Sequence, residues 1–363
     1  MTALALAAGG LSFALAASAT AAARRLAPRW GFVDHPSPDR HHRRPTPLLG
    51  GSAIFVAVGL PALAAMAFAL IWRATGAPGW LPGPVAAAAE AVAGRLRPAA
   101  VVLAGAAVLH VIGLVDDRRR LGPLAKLAGQ VVCAAAAVLL GRVRLLEMLG
   151  EPASSVLSVL WIVLITNAFN LLDHMDGLSA GVAAICSAAL LAAAAAAGEV
   201  AVAGWLCLLT GASLGFLVHN FPPARVFMGD AGSMVLGYLL AVLSILTTYR
   251  RGPEAGYAAV FAPVVLLAVP LYDTLSVLVL RLRARRSPVA GDTRHFSHRL
   301  LRRGMGPRKA VLTIYLATAA TAAGAALLPH VAGRGPAAVI FGQAAAVVLL
   351  IALLESADAG GRR

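Results

Sequence analysis

The chain has 363 residues, 60% of them hydrophobic and only 13% charged, with a formal net charge of +15 and a mean hydropathy of +0.81. This composition excludes a water-soluble globular domain and calls for lipid as the solvent. The surplus of Lys and Arg suits membrane topology and anionic headgroups, so no nucleic-acid partner is expected.

Apolar runs long enough to cross roughly 30 Å of hydrocarbon fall near residues 2–23, 48–71, 99–115, 126–141, 155–171, 178–197, 200–218, 232–248, 258–281, 310–329 and 336–354. They predict an all-α, polytopic integral membrane protein with about eleven transmembrane helices and a single transmembrane catalytic domain over 1–363. Little chain is left for a soluble domain, so any active site has to be assembled from loops and helix ends. The first run is expected to be a retained helix, because Arg24 and Arg25 follow the apolar stretch instead of preceding it. On this eleven-span scheme about three quarters of the Lys and Arg lie on one side, which the positive-inside rule assigns to the cytoplasm. Nearly every aspartate shares that face, and only Asp273 falls inside a span. Cys133, Cys186 and Cys207 sit in apolar runs without metal-ligand spacing and read as small core residues.

Four polar loops carry the chemistry. The first begins at His110 and contains Asp116 and Asp117, then Arg118 to Arg120, with Lys126 beyond. Adjacent carboxylates near lipid repel and favour a cation, either a metal ion or a basic side chain; pairing with the three arginines explains them equally well. In the second loop Asn167, Asn170, Asp173 and Asp176 recur every third residue, a row of hard oxygen donors that suits Mg²⁺ or a nucleotide. The third loop places Asp230 between Gly229 and Gly232, where helix-start amides could help bind phosphate while Asp230 holds a metal. Phe227, just before it, could stack on a base or simply pack. The fourth loop carries Arg294, His295, His298 and Arg299, donors that could meet a diphosphate. Metal binding by His295 and His298 is disfavoured, since no nearby thiolate or third histidine completes a zinc site. His110 and His330 read as packing or interfacial residues, and Asp273 as a functional acid or a partner for a helix loosened by Pro270.

Taken in order, these loops resemble the polyprenyl-phosphate N-acetylhexosamine-1-phosphate transferases. The resemblance runs from residue 34 to about 316. It rests on Asp34 and Pro36 with His42, Pro45, Pro47, Gly50 and Gly51, then Asp116-Asp117 with Lys126, Asn170-x-x-Asp173-x-x-Asp176-Gly177-Leu178, Phe227-x-Gly229-Asp230-x-Gly232-Ser233 and the histidine loop. It implies transfer of a sugar 1-phosphate, N-acetylglucosamine 1-phosphate above all, from a UDP-sugar to polyprenyl (undecaprenyl) phosphate. UMP is released, and the lipid product would initiate a cell-envelope polysaccharide. Mg²⁺, or Mn²⁺ in its place, is the implied cofactor, the implied location is the inner (plasma) membrane with the site facing the cytoplasm, and a homodimer is implied as well.

Residue by residue, the resemblance makes Asp230 the principal metal ligand, with Asn170 or Asp173 beside it. Lys126 would neutralise phosphate, and Asp176 and Phe227 would hold the uracil. Arg294, His295, His298 and Arg299 would contact the diphosphate. Asp116 or Asp117 would be a general base or an electrostatic organiser near the lipid phosphate. A phosphate nucleophile is already ionised near neutral pH, so direct attack is expected over a covalent aspartyl intermediate.

The chain departs from the pattern at Asp39, at His174 where a glycine is expected, and in spacing His295 from His298. The histidine loop looks more like the N-acetylglucosamine-type branch than the muramoyl-pentapeptide branch. Two other readings differ in kind. An aspartate-rich membrane prenyltransferase would need two Asp-x-x-x-Asp motifs, which Asp116-Asp117 does not supply. A nucleotide-sugar or lipid transporter would distribute acids near mid-membrane, where only Asp273 lies.

Overall fold

Alanine- and leucine-rich runs become helices here because helix propensity is high and because lipid offers the backbone no hydrogen bonds of its own. The structure, a computed structural model, describes residues 2–36, 45–76, 81–247, 257–283, 295–331 and 333–356. In chain order the helices are α1 (Thr2–Leu26), α2 (Gly50–Thr75), α3 (Gly83–Ala93), α4 (Leu96–Arg119), α5 (Pro123–Leu139), α6 (Glu151–Leu172), α7 (Leu178–Ala196), α8 (Val200–Asn220), α9 (Asp230–Leu246), α10 (Ala262–Leu266), α11 (Ala268–Arg283), α12 (Phe296–Arg302), α13 (Pro307–Leu327) and α14 (Arg334–Ser356). A two-residue antiparallel pairing, β1 (Val33–Asp34) with β2 (Thr46–Pro47), joins Val33 to Pro47 and Asp34 to Thr46.

Every apolar run of the sequence lies in a helix or a helix pair, so the polytopic all-α expectation holds. Among the described residues, eight helices are long and apolar enough to cross a membrane, and the bent pair α10 and α11 makes a ninth if it is one span. The expectation of eleven counted α5 and α9 as full crossings. Each has 17 residues, about 26 Å at 1.5 Å per residue, the short end of the range for a crossing helix. Side chains such as Leu60, Ile71, Val132, Leu316, Val339 and Leu353 are exposed on the bundle surface, as lipid-facing positions require.

The helix pair α10 and α11 bends by 67°. Pro270 has no N–H to offer the Leu266 carbonyl, and the Cys186 thiol reaches that carbonyl at 3.9 Å instead.

Helix α9 is the centre of the bundle. From Ala231 to Ser244 it is buried on all sides, and it packs chiefly against α6 and α4, then α2 and α7. A helix apolar all round has no solvent face, so its position is set by packing alone.

Glycines decide how near its first turn the neighbours come. A Cβ on Gly113 of α4 would sit 2.3 Å from the Ala231 backbone nitrogen, and one on Gly51 of α2 would sit 2.3 Å from that of Gly232. Backbone hydrogen bonds then stitch the β2–α2 segment to the third loop: Phe227 N–H donates to Pro47 at 2.8 Å, and Gly50 and Gly51 donate to Phe227 and Met228 at 3.0 Å each.

Gly113→Ala should therefore be destabilising by about 1–3 kcal/mol, the range of overpacked cores, and should displace Asp230. Gly122→Ala, at a position with open space around it, should change stability by less than about 0.5 kcal/mol. Thermal unfolding of the two variants in one detergent tests the contrast, and equal shifts would refute the backbone-contact account.

Candidate active site

The aspartates meet at three helix ends and one turn. Helix α4 delivers Asp116 and Asp117 in its last turn, α5 delivers Lys126 in its first, and α9 begins at Asp230. The short segment between α6 and α7 carries Asp173 and Asp176.

Lys126 Nζ bridges two of these groups, donating to Asp116 Oδ2 at 3.0 Å and to Asp230 Oδ2 at 2.6 Å. Asp117 does something different. Its Oδ1 accepts the Asp230 backbone N–H at 2.9 Å and its Oδ2 the Ala231 N–H at 3.3 Å. It is thus an N-cap supplied to α9 by another helix. Gly229, at φ +69°, has to be glycine twice over, because a Cβ there would also lie 2.4 Å from Asp117 Oδ2.

The amides of Gly232 and Ser233 both bond to the Gly229 carbonyl at 3.1 Å. With the Gly229 N–H on the Asp173 carboxyl, those of Asp230 and Ala231 on Asp117 and that of Gly232 on Gly229, all four N–H groups that an α-helix leaves open at its start are engaged. The expectation that helix-start amides of α9 help bind phosphate is corrected: Asp117, Asp173 and Gly229 already hold them.

Asn170 Nδ2 donates to Ser233 Oγ at 3.0 Å, which ties α6 to α9 and leaves the amide oxygen for another partner. Asp173 stands nearby. Burial, and then the Asp230, Asp117 and Asp176 carboxylates, push its carboxyl well above the ordinary range, against a hydrogen bond from Gly229.

Asp176 Oδ2 accepts from the Ala224 N–H at 2.8 Å, joining the second loop to the third. The same junction is locked by Asn220, whose Oδ1 takes the Gly177 N–H at 2.9 Å and whose Nδ2 donates to the Val226 carbonyl at 2.8 Å. Phe227 is half-buried beside it.

His295 and His298 gather around His174, with ring centroids 4.2 and 4.6 Å from it. His295 Nδ1 is 2.8 Å from Asp273 Oδ2, so the intramembrane acid has a specific partner, while Thr274 satisfies the Pro270 carbonyl at 3.0 Å. Burial and the adjacent His295 ring hold the His174 pKa down to about 3, so that imidazole is neutral. The Arg299 guanidinium is engaged by Glu355 at 2.8 and 2.9 Å and by Ser276 at 3.0 Å. Arg294 lies outside the described residues, as do Asp39, His42, Asp292 and Asp358.

Two supporting residues were not picked out as such from the sequence. His110 is buried and bonds the Ala231 carbonyl at 3.0 Å, so it is a support for the first turn of α9 and more than packing. Gln130, on the Lys126 helix, accepts from Asn167 and contacts Met234. His110 opens the Asp116 loop, and that proximity was the one available signal; Gln130 had none.

The donor set around Asp230 is all oxygen and strongly anionic, with Lys126 the cation bonded to it among the described residues. Asp116 Oδ1 is buried there without a hydrogen-bond partner. Hard oxygens in charge surplus fit a hard divalent cation such as Mg²⁺, which Asp230, Asp173 and Asn170 would hold.

Comparison with known proteins gives the family. Residues 99–248 match the family model of glycosyl transferase family 4. A decaprenyl-phosphate N-acetylglucosaminephosphotransferase of Mycobacterium tuberculosis is 37% identical over 94% of this chain and 87% of its own length. A probable undecaprenyl-phosphate N-acetylglucosaminyl 1-phosphate transferase of Bacillus subtilis is 32% identical, over 81% of this chain and 76% of its own. An undecaprenyl-phosphate alpha-N-acetylglucosaminyl 1-phosphate transferase of Escherichia coli is 26% identical over 82% and 76%. The chain belongs to the polyprenyl-phosphate N-acetylhexosamine-1-phosphate transferase superfamily. It is a membrane-embedded phosphotransferase of the N-acetylglucosamine branch, which sets aside the prenyltransferase and transporter readings.

Asp173 supplies a test of the crowding. Because its folded pKa is raised, its stabilising contribution is complete below the ordinary carboxylate value of about 3.9 and is lost as pH rises through the raised value. In chelator, Asp173→Asn should therefore raise Tm more at about pH 8 than at about pH 5. A gain independent of pH would show that Asp173 is not repelled by its neighbours.

Proposed function

We propose that the protein transfers N-acetylglucosamine 1-phosphate from its UDP conjugate to a polyprenyl phosphate, releasing UMP and leaving a diphosphate-linked lipid sugar. The observation that carries this reading is Lys126 held between Asp116 and Asp230, with Asp117 fixing the start of α9 beneath them. The names of the relatives support the acceptor lipid and the sugar. The one-sided distribution of Lys and Arg supports a cytoplasmic site in the plasma membrane, where such a product would start a surface polysaccharide.

The reaction joins two anions, so positioning and charge neutralisation are most of what the protein has to supply. Mg²⁺ held by Asp230, with Asp173 and Asn170 beside it, would neutralise the donor diphosphate and polarise its oxygens. Lys126 is the mobile cation of the site. When a phosphate enters, its ammonium can exchange a carboxylate oxygen for a phosphate oxygen without leaving the cluster. Asp116 stays within reach of Lys126 throughout and keeps it protonated and directed.

The acceptor phosphate is ionised near neutrality and attacks the sugar-linked phosphorus directly. Its oxygen forms the new P–O bond as the bond to the UMP oxygen breaks, and UMP leaves with that electron pair. Asp117 is unsuited to be a general base or nucleophile, because both of its oxygens accept backbone N–H bonds. It is a positioning residue. Asp176 and Phe227, joined to the 221–229 loop, would hold the uracil and His298 would meet the diphosphate, while His295 is turned to Asp273.

The direct test is purified protein in detergent with Mg²⁺, undecaprenyl phosphate and a panel of UDP-sugars, with UMP release as the readout. UDP-N-acetylglucosamine should give UMP and a lipid-linked product; folded protein that releases no UMP with any sugar would overturn the proposal.

A second test isolates the metal role. Asp230→Asn should lower kcat by about 100-fold or more, the scale of losing one electrostatic stabiliser, and abolish the response to Mg²⁺. Near-normal turnover with the Mg²⁺ dependence intact would remove Asp230 from that role.

A further inference from the structure

Apart from the carboxylate cluster, three segments distant in sequence bring metal-binding groups to one spot. His174 comes from the turn between α6 and α7, Asp273 from the interior of α11, and His295 from the residue that precedes α12. One ring nitrogen from each histidine and one carboxylate oxygen all lie within 4.8 Å of one another. Asp273 is 0% exposed and His295 3%, and His174 beside them is half-buried.

Each group is oriented by a second contact. The Leu171 carbonyl lies 2.7 Å from His174 Nδ1, which places the proton there and leaves the lone pair on Nε2. That Nε2 faces the Ser297 hydroxyl. Asp273 Oδ1 accepts the Phe296 N–H at 3.0 Å while its Oδ2 meets His295 Nδ1 at 2.8 Å.

This donor set differs in kind from the one around Asp230. Imidazole nitrogen with one carboxylate suits a borderline-soft ion, whereas Mg²⁺ prefers oxygen alone. Four-coordinate bonds of about 2.0–2.1 Å put ligand atoms about 3.3 Å apart. The Asp273 and His295 atoms are already that close, while the His174 ring is stacked on that of His295 with 21° between their planes and has to tilt for its Nε2 to face the ion, with Ser297 or a water as the fourth ligand.

We propose that His174, Asp273 and His295 form a transition-metal site for Zn²⁺ or a similar ion, separate from the Mg²⁺ site. Bound there, the ion clips the turn that carries Asp173 and Asp176 to α11 and to the start of α12. The ion takes the place of the Nδ1 proton that His295 donates to Asp273, and the imidazole keeps its proton on Nε2. The sequence argued against a histidine metal site for want of a third histidine; folding supplies that histidine from a loop more than a hundred residues away.

The test uses the full chain in detergent, stripped with chelator and returned to excess Mg²⁺, then titrated with Zn²⁺ or Co²⁺ alone. The expected result is one Zn²⁺ retained per chain, with the intense visible bands of four-coordinate Co²⁺ in the wild-type protein. His174→Ala and His295→Ala should each weaken binding by about 100-fold or more, beyond the loss typical of an outer contact, while Asp230→Asn should keep it. Zn²⁺ bound equally well by His174→Ala would overturn the proposal. So would wild-type protein without Co²⁺ bands, and so would binding of inorganic phosphate but not Zn²⁺ at these residues. The wild-type Co²⁺ spectrum decides the matter even where a variant fails to fold, and it does not depend on whether the transferase reaction itself is correct.

Discussion

The structure depends on gathering carboxylates that repel one another around the first turn of a buried helix. Asp116, Asp117, Asp173 and Asp230 converge where α4, α5, α6 and α9 end or begin, and Lys126 bridges two of them. The partial positive end of α9 offsets some of this repulsion, and Asp117 takes the strongest share by capping the first two amides. The residual excess of charge is what would give the site affinity for a cation. A neutral, fully satisfied cluster would be more stable and would have no reason to bind one.

That arrangement constrains the backbone around it. Asp117 can reach the amides only if α4 lies almost in contact with α9, which is why Gly113 meets Ala231 without a side chain between them. The Gly50-Gly51 pair performs the same service for α2, and two backbone bonds hold it to Phe227 and Met228. His110, one turn from Gly113, then fixes the Ala231 carbonyl. The site is therefore built from main-chain contacts at helix ends, and its geometry is as rigid as the packing of α9.

What could be read in the sequence followed physical range. The apolar runs and the loops rich in aspartate are local patterns, and both reappear as helices and as the site. Exact helix lengths were less legible, since hydropathy marks α5 and α9 as apolar without showing that each has 17 residues. Roles that depend on a distant partner were equally hidden. Asp116 and Asp117 are neighbours with the same chemistry, and only the fold shows that one pairs with Lys126 and the other caps α9. Arg299 matched a diphosphate contact by motif, yet it lies against Glu355 on the last helix, a pairing no local spacing encodes.

Asp273 shows how the two readings of one residue can be separated. An acid three residues after a proline in an apolar helix invites the view that it repairs the helix, but the repair is made elsewhere. Cys186 meets the carbonyl that Pro270 leaves open, and Thr274 meets that of Pro270 itself. Asp273 is left with both oxygens turned to the histidine segment, bonding His295 and the Phe296 amide. Replacing it with alanine would strand that buried amide at a cost of about 1–3 kcal/mol, so the carboxylate is retained for the segment it holds. Because His174 packs on His295 and follows Asp173 directly, the same residue couples the histidine segment to the carboxylate cluster through a single peptide bond.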